Sequence, residues 1–231
     1  MNRSFFHGWA LALGLWSSSL FAQNLPEHPS GGWLSLDVGK SLYHLVSGGH
    51  SIDLGGYWCF PSRLIVGLEV GHSNYVDKKI PDKNIADYNV RGYYFRPHIG
   101  GLLMQDQVGL LITGGLVFSF AEESLRPFIP GTYFGDFRGE EIRRKGIRAA
   151  GFETMFGIWI WPRQRFSLLL SSRLHLGYVL QVPENPPVDL LEVRYFPGFG
   201  LNLHARGEAL ASRLAIGGGF GLKGVFRFSG H

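Results

Sequence analysis

The sequence predicts an all-β fold, an antiparallel transmembrane up-and-down β-barrel of eight to ten strands, with ten favoured. Apolar residues occupy alternate positions through most of the second half, turn-forming residues separate these stretches, and the chain begins with an export signal. In the stretch 166–180, for example, Leu168, Leu170, Leu174 and Leu176 share one phase, while Arg173 and His175 share the other. A strand with this period has one apolar and one charged face, and a barrel in lipid turns the apolar face outward.

The amino terminus predicts export. Residues 1–22 form a signal peptide with Arg3 in its basic region and an apolar stretch at 9–15, and cleavage is expected after Ala22. Residues 23–32 are then a periplasmic leader and residues 33–231 the barrel. No later segment offers about 18 uninterrupted apolar residues, so a membrane-spanning helix is not expected. We therefore expect the protein in the outer membrane of a Gram-negative cell.

The composition narrows the class further. Of 231 residues, 45% are hydrophobic, 14% are aromatic and 17% are charged, which does not fit a disordered chain. The net charge of +4 is not gathered into a basic run, so no nucleic-acid partner is predicted. Cys59 is the only cysteine, and we interpret it as a small residue inside the barrel.

The strands are predicted in order from alternation and turn residues. They are 33–45, 51–60, 63–76, 87–103, 108–121, 147–161, 166–180, 190–204, 209–217 and 221–229. Short links at 60–62, 105–107, 162–164 and 206–208 alternate with longer ones at 77–86, 122–146 and 181–189. Outer-membrane barrels have short periplasmic turns and longer extracellular loops, so both termini are predicted to be periplasmic.

The number of strands depends on the carboxyl-terminal stretch. One apolar phase continues from Leu210 to Phe228, which fits either one long strand or two strands joined by a tight hairpin at 217–219. Termini on one side require an even number, so the hairpin and ten strands are favoured. Eight strands remain open if an N-terminal segment lies outside the barrel.

Aromatic residues near the strand ends predict girdles at the two membrane interfaces. Trp33, Trp58 and Trp161 are assigned to the periplasmic girdle, and Tyr88 and Phe120 to the outer girdle.

The charged phase of the strands supplies the candidate site. In a narrow barrel these side chains can pair across the lumen and fill it. A small polar pore and a ligand or catalytic site are the alternatives. The residues placed in the lumen are Asp37, Asp53, Glu69, Arg96, His98, Glu153, Arg173, His175, Glu192, Arg194, Arg213, Lys223 and Arg227.

Several basic residues interrupt the apolar phase, all toward the predicted outer half. They are Lys40, His44, His72, Arg91 and Arg148. One interpretation is contact of Lys40, Arg91 and Arg148 with lipopolysaccharide phosphates, since charge costs least near the interface. The other is a local bulge that switches the phase, especially around 92–94. The long loop 122–146, aromatic and Pro-rich and then charged, is the best candidate surface for a protein partner.

No catalytic arrangement is predicted. His72 and Ser73 are adjacent, but neighbouring strand residues point to opposite faces. The histidines show no metal-ligand spacing, and no cofactor motif is present.

Several motifs occur in an order that resembles a known family. They are Gly92-Tyr93-Tyr94-Phe95-Arg96-Pro97-His98, Gly151-Phe152-Glu153, the Ser-Arg-Leu-His stretch within 166–179, and Tyr195-Phe196-Pro197-Gly198-Phe199-Gly200. The chain is similar in these to an outer-membrane β-barrel family of Bacteroidota, a domain of unknown function in the style of PorT-like barrels. The resemblance implies fold and location over residues 33–229 and assigns no catalytic residue.

Together these features predict a non-enzymatic outer-membrane barrel with a charge-filled lumen. Its expected role is envelope integrity or service as an accessory subunit of a secretion or assembly complex. A small passive pore is the alternative, and a lipid A or phospholipid hydrolase is the third hypothesis.

Overall fold

The computed structural model describes residues 30–39, 41–42, 49–77, 85–105, 107–129, 131, 135–181, 195–201 and 214–229. The predicted signal peptide, most of the leader, and Lys40, His44, Glu192, Arg194 and Arg213 lie outside them. The strands are β1 (Gly31–Asp37), β2 (His50–Cys59), β3 (Leu64–Asp77), β4 (Ile85–Gln105), β5 (Val108–Ile129), β6 (Phe137–Arg138), β7 (Ile142–Ile160), β8 (Phe166–Gln181), β9 (Tyr195–Phe196), β10 (Gly200–Leu201) and β11 (Leu214–Ser229).

Eight of these strands close into an antiparallel ring. The order is β1, β2, β3, β4, β5, β7, β8 and β11, and β11 pairs back with β1. The short β6 pairs with β5 and extends the sheet to nine strands, while β9 and β10 form a separate two-stranded hairpin. The predicted antiparallel barrel is confirmed, and the favoured count of ten ring strands is wrong.

The miscount has two causes. β11 runs without a break from Leu214 to Ser229, and Gly217, Gly218 and Gly219 all pair with β8, so the hairpin predicted there is wrong. The predicted strand 190–204 is interrupted because Pro197 and Gly198 form a turn, with Gly198 at a φ of 86°. The ring has eight strands because this hairpin near the carboxyl terminus is not part of it, and no N-terminal segment had to be left out.

The two-residue alternation matches the inside and outside of the ring. In β8 the residues from Ser167 to Val179 in one phase are buried, with the leucines of the other phase exposed. Strand β1 is shorter than predicted: it ends at Asp37, and residues 38–39 and 41–42 are helical. The Ser41 hydroxyl lies 2.7 Å from both the Asp37 and the Ser51 carbonyl oxygens, so its proton can be donated to either one, and this links the turn to β2. Among the described helical residues, no helix is long and apolar enough to span a membrane.

The register fixes the dimensions of the ring. When the pairing register is followed once around the eight strand pairs, it returns to β1 ten residues away from the starting residue. With about 3.3 Å per residue and about 4.8 Å between strands, this stagger tilts the strands by about 41° and sets a backbone radius of about 8 Å. A ring this narrow can be filled by its own side chains.

The outward residues of β5 define an apolar band. They are apolar and exposed or half-buried from Val108 to Phe120, which covers about 30 Å along the barrel axis, the thickness of a hydrocarbon core. The outward positions that follow are Glu122, Ser124 and Arg126. Because β5 continues to Ile129 and β7 begins at Ile142, the segment 122–146 is largely sheet. The interpretation of that segment as one long loop is therefore wrong.

The buried interior contains two apolar clusters. One, the inner cluster, lies at the end with the short turns and includes Trp33, Trp159, Leu102 and Met155, with the two indoles 5.3 Å apart edge to face. The other, the outer cluster, lies toward the long connections and includes Tyr75, Tyr88, Val117, Ala149 and Phe199. Trp33 and Tyr88 therefore face the lumen, and their assignment to the girdles is wrong. Trp58, Trp161 and Phe120 are exposed on the outside, as predicted.

Candidate functional site: the charged layer of the lumen

A layer of charged side chains lies between the two apolar clusters. Its members come from six strands, in each case from the inward phase, and all are 7% exposed or less. They are Asp53 of β2, Glu69 of β3, Arg96 and His98 of β4, Glu153 of β7, Arg173 and His175 of β8, and Lys223 of β11. Closure of the ring brings these distant parts of the sequence together.

Glu69 is the centre of the layer. One carboxylate oxygen accepts hydrogen bonds from Arg173 at 2.7 Å, from Lys223 at 2.5 Å and from the Tyr57 hydroxyl. The other oxygen accepts from Arg96 at 3.1 Å. A fully buried carboxylate with four donors from four strands has its charge neutralised, and both of its oxygens are hydrogen-bonded.

Glu153 and Asp53 complete the pairing. Glu153 accepts from Arg173 at 3.0 Å and lies 3.1 Å from the His175 imidazole. Asp53 accepts from the Tyr94 hydroxyl at 2.6 Å and lies 3.5 Å from Arg96. Three carboxylates thus face the cations Arg96, Arg173 and Lys223, so the formal charges of these six groups cancel. Buried charges are tolerated when they are paired in this way.

Small residues make room for the layer. A side chain at Gly67 would collide with the His98 imidazole and the Tyr57 ring. A side chain at Gly71 would likewise collide with Tyr94. Tyr57 and His98 lie against each other with ring centroids 5.2 Å apart. The glycines of β3 therefore serve packing against lumen side chains.

Most of the predicted lumen residues that the structure describes lie inside the ring, on the face that their phase along the strand predicted. Asp37 is also buried inside, beside the position that a side chain at Gly221 would occupy, and Arg227 lies near the Trp33 ring. Sequence reasoning missed Tyr57 and Tyr94, the two hydroxyl donors of the layer. Both share the inward phase of their strands with Asp53 and Arg96, a signal that could have identified them.

A hairpin inside the barrel covers the layer on the side of the long connections. The Phe199 ring is 2% exposed and meets the His175 ring edge to face at 5.9 Å. Gly198, at the turn, lies against the Tyr94 ring. No feature of the sequence indicated that this segment folds inward.

A second buried ion pair lies beyond the apolar band. Glu123 of β5 accepts from the Arg144 Nε at 2.8 Å, and both side chains are buried. Sequence reasoning had placed both residues in an exposed loop, so this pair was also missed.

The residues predicted to contact lipopolysaccharide have different environments. Arg91 is exposed but pairs with Glu122 at 3.1 Å. Arg148 is exposed on β7 directly opposite Phe120, at the edge of the apolar band. The register of β4 is continuous through 92–94, so a bulge there is wrong, whereas the register between β7 and β8 does shift at Arg148.

A polar cleft of about 130 Å³ lies on the outward face beyond the band. Arg91, Glu122, Glu141 and Arg143 line it together with Asn89 and Ser124. Arg143 donates to Glu141 at 2.9 Å, and this hydrogen bond lowers the pKa of the Glu141 carboxyl below its usual value. Within the described ranges, no three His, Cys, Asp or Glu side chains are grouped as a metal site.

An apolar exterior, a paired polar interior and an antiparallel ring define an outer-membrane-type β-barrel with a closed charged layer. The chain is similar to the crystal structure of Neisserial surface protein A, NspA, with a TM-score of 0.44 and 14% sequence identity over 87% of this chain and 100% of that one. No protein-family model and no curated protein matches the sequence, so the resemblance to the Bacteroidota family stays a prediction.

Proposed function

We propose that this protein is a non-enzymatic outer-membrane barrel with a filled, non-conducting lumen. It serves envelope integrity or acts as an accessory subunit of a secretion or assembly complex. The observation that carries the proposal is the neutral charged layer around Glu69, enclosed between two apolar clusters.

Burial in the lumen favours a filled barrel over a pore. An aqueous channel leaves the side chains along its wall accessible to water, yet Glu69, Lys223 and Glu153 are 2% exposed or less. An ion crossing here would have to separate these pairs and then pass Trp33 and Trp159 without its hydration shell. Both steps are costly in an interior of low polarity.

The same burial disfavours catalysis in the lumen. His175 and Glu153 form an acid and imidazole pair, but both are closed off from solvent and lipid. Ser171, on the same face of β8, is four residues from His175, about 13 Å along the strand, too far for nucleophile activation.

The sheet beyond the apolar band supplies the surface for partners. The parts of β4, β5 and β7 that follow the band present ionic side chains on their outward face, including Arg91, Glu122 and Lys145. Rigid strands that project from a membrane are a suitable platform for another protein. At their base, exposed Arg148 lies beside Phe120 at the height of phosphorylated lipid headgroups.

Conductance tests the closed lumen. The protein refolded into a planar bilayer is expected to remain electrically silent, and native mobility on a gel without heating shows that it is folded. Stable conductance steps from folded protein would replace the proposal with the passive pore.

Unchanged lipid A and phospholipid mass spectra in a deletion strain are expected, and an altered lipid would instead support the hydrolase hypothesis.

Cell fractionation tests the location. The protein is expected in the outer-membrane fraction, with a mature chain that begins at Gln23. Recovery in the soluble periplasm would contradict the proposal.

Site-specific photocrosslinking tests the partner surface. A photoreactive residue at Ser124, which faces outward beyond the band, is expected to capture a recurrent partner. The same group at Ile112, which faces lipid, is the matched control. If Ser124 and Arg143 both capture nothing in intact cells, the accessory-subunit role is rejected.

Charge reversal tests the lipid contact. Arg148→Glu is expected to lower the lipopolysaccharide that remains bound to detergent-extracted protein, since repulsion replaces attraction at a phosphate. Arg163→Glu, in an exposed turn at the opposite end, is the control. Equal retention by the two variants would reject a role for Arg148.

A further inference from the structure

The hairpin formed by β9 and β10 lies inside the ring rather than beyond it. Phe196 pairs with Gly200 and Tyr195 with Leu201, and the turn between them contains Pro197, Gly198 and Phe199. Pro197, Gly198 and Phe199 are all buried. A turn between two strands ordinarily lies at the surface, so its burial needs a local cause.

The wall of the barrel has a notch that fits the Phe199 ring. That ring occupies the space where a side chain at Gly177 would stand. Gly177 pairs directly with Gly151 of β7, and a side chain at Gly151 would collide with the Gly177 backbone. The two adjacent glycines thus thin the wall, and His175 closes the lower edge of the notch at 5.9 Å from Phe199.

The tip of the hairpin rests on the charged layer. Gly198 lies against the Tyr94 ring, and the Arg96 guanidinium lies over that ring at 4.4 Å. The Tyr94 hydroxyl in turn donates to Asp53. The hairpin therefore covers the polar layer from the side of the long connections, with aromatic rings at both of its contacts.

We propose that the segment 195–201 is an internal plug, held by the seat of the Phe199 ring in the notch formed by Gly151, Gly177 and His175. The plug is part of the filled lumen proposed above. It closes the outer half of the barrel, while the charged layer and the inner apolar cluster close the rest.

The plug can leave without dismantling the barrel. Its two strands form a sheet separate from the ring, so its departure breaks none of the eight ring pairings. Phe199 belongs to one buried cluster with Val117, Ala149 and Val179, which would then line an outer cup with the charged layer as its floor. Such a cup suits a ligand with an aromatic ring, because a ring is what it holds now.

Thiol accessibility in the full-length protein tests the plug. Ala149 is buried in the outer cluster, two residues from Gly151, so Ala149→Cys reports on the outer half. The native Cys59 is buried in the inner cluster and reports on general loosening in the same molecule. Neither thiol is expected to react with a water-soluble maleimide in the folded protein.

Phe199→Ala is expected to raise the labelling rate at position 149 by about tenfold or more and to leave Cys59 protected. Phe120→Ala, which removes an outward-facing ring at a similar height, is the matched control and is expected to change neither rate. Gly177→Ala is a second variant, because its added methyl group displaces the ring from the wall side. A peptide with the sequence of residues 195–201 should restore protection to Phe199→Ala, and the same peptide with alanine at Phe199 should not.

Several results would overturn the plug. They are a protected position 149 in folded Phe199→Ala and Gly177→Ala, labelling of position 149 when residues 177 and 199 are unchanged, and an equal rise of the labelling rates at positions 149 and 59 in Phe199→Ala. Phe199→Ala is also expected to remain electrically silent, since two closed layers persist. Conductance of the unchanged protein would reject the filled lumen, whereas protection at position 149 in both variants would reject the plug alone.

Discussion

Replacement of Glu69 by glutamine tests whether the charged layer holds the barrel together. The side chain keeps its shape in Glu69→Gln but loses its charge, so three buried cations face only Asp53 and Glu153. The new amide group also turns a donor toward either Arg96 or the donors at the other oxygen. The variant therefore creates one uncompensated buried charge and one unsatisfied contact.

The size of the effect follows from the distances. Pairs at 2.5–3.1 Å are each worth about 5–7 kcal/mol at an effective dielectric constant of about 20, before desolvation is subtracted. Breaking a buried pair by removal of one partner costs about 3–5 kcal/mol net. We expect Glu69→Gln to lower the free energy of unfolding by about that amount. Glu122→Gln, which removes a partly exposed partner of Arg91, is expected to cost about 1 kcal/mol or less.

Urea unfolding of the protein refolded in lipid vesicles, followed by tryptophan fluorescence, measures both losses. The double variant Glu69→Gln with Lys223→Met restores the charge balance of the layer. It is expected to be more stable than the sum of the single losses implies, by about 1–3 kcal/mol. If Glu69→Gln lies within about 1 kcal/mol of the unchanged protein, or if the double variant is strictly additive, the layer is not the electrostatic unit described here.

Three further predictions each rest on a comparison of two residues or of the folded and unfolded protein. Gly67→Ala is expected to lower the free energy of unfolding by about 1–3 kcal/mol because its methyl group meets His98, whereas Gly56→Ala, which meets open space, is neutral or slightly stabilising; equal effects in the urea assay would contradict this. In single-tryptophan variants, lipids with brominated chains should quench Trp58 and leave Trp159 unquenched, and the reverse order would place the wrong phase in lipid. Cys59 should resist alkylation in the folded barrel and react fully after unfolding, so a reactive Cys59 in folded protein would show that the inner cluster is open.

The phase of the long strands could be predicted because lipid and lumen impose opposite requirements on alternate residues. The bounds expected for β2, β3 and β8 agree with the structure to within one residue at each end. The phase of a residue within its strand also predicted its environment better than its closeness to the strand end did. Trp33 shares the inward phase with Asp37, so its place near a strand end was the weaker indication and led to the wrong girdle assignment.

Beyond the apolar band the alternation loses its meaning. Both faces of the sheet there carry polar groups, so Glu123 and Arg144 gave no indication that they form a buried pair. The inward fold of the hairpin was likewise hidden, because a Pro-Gly turn between aromatic residues has the same local preference at a rim or in a lumen. What decides its position is the fit of Phe199 to Gly177, a contact between residues far apart in the chain.

The charged layer also links the pairing registers of strands that are not neighbours in the ring. β1 spans Gly31–Asp37, and its last residue pairs with Lys223 of β11. Lys223 and Arg173 both contact Glu69, and β8 and β3 stand on opposite sides of the ring, so these bonds cross the lumen. A slip of one residue in any of these strands would turn its charge toward lipid and bring an apolar side chain into the layer. The pairs across the lumen therefore tie together the registers of strands that are not neighbours, which the hydrogen bonds of the sheet cannot do.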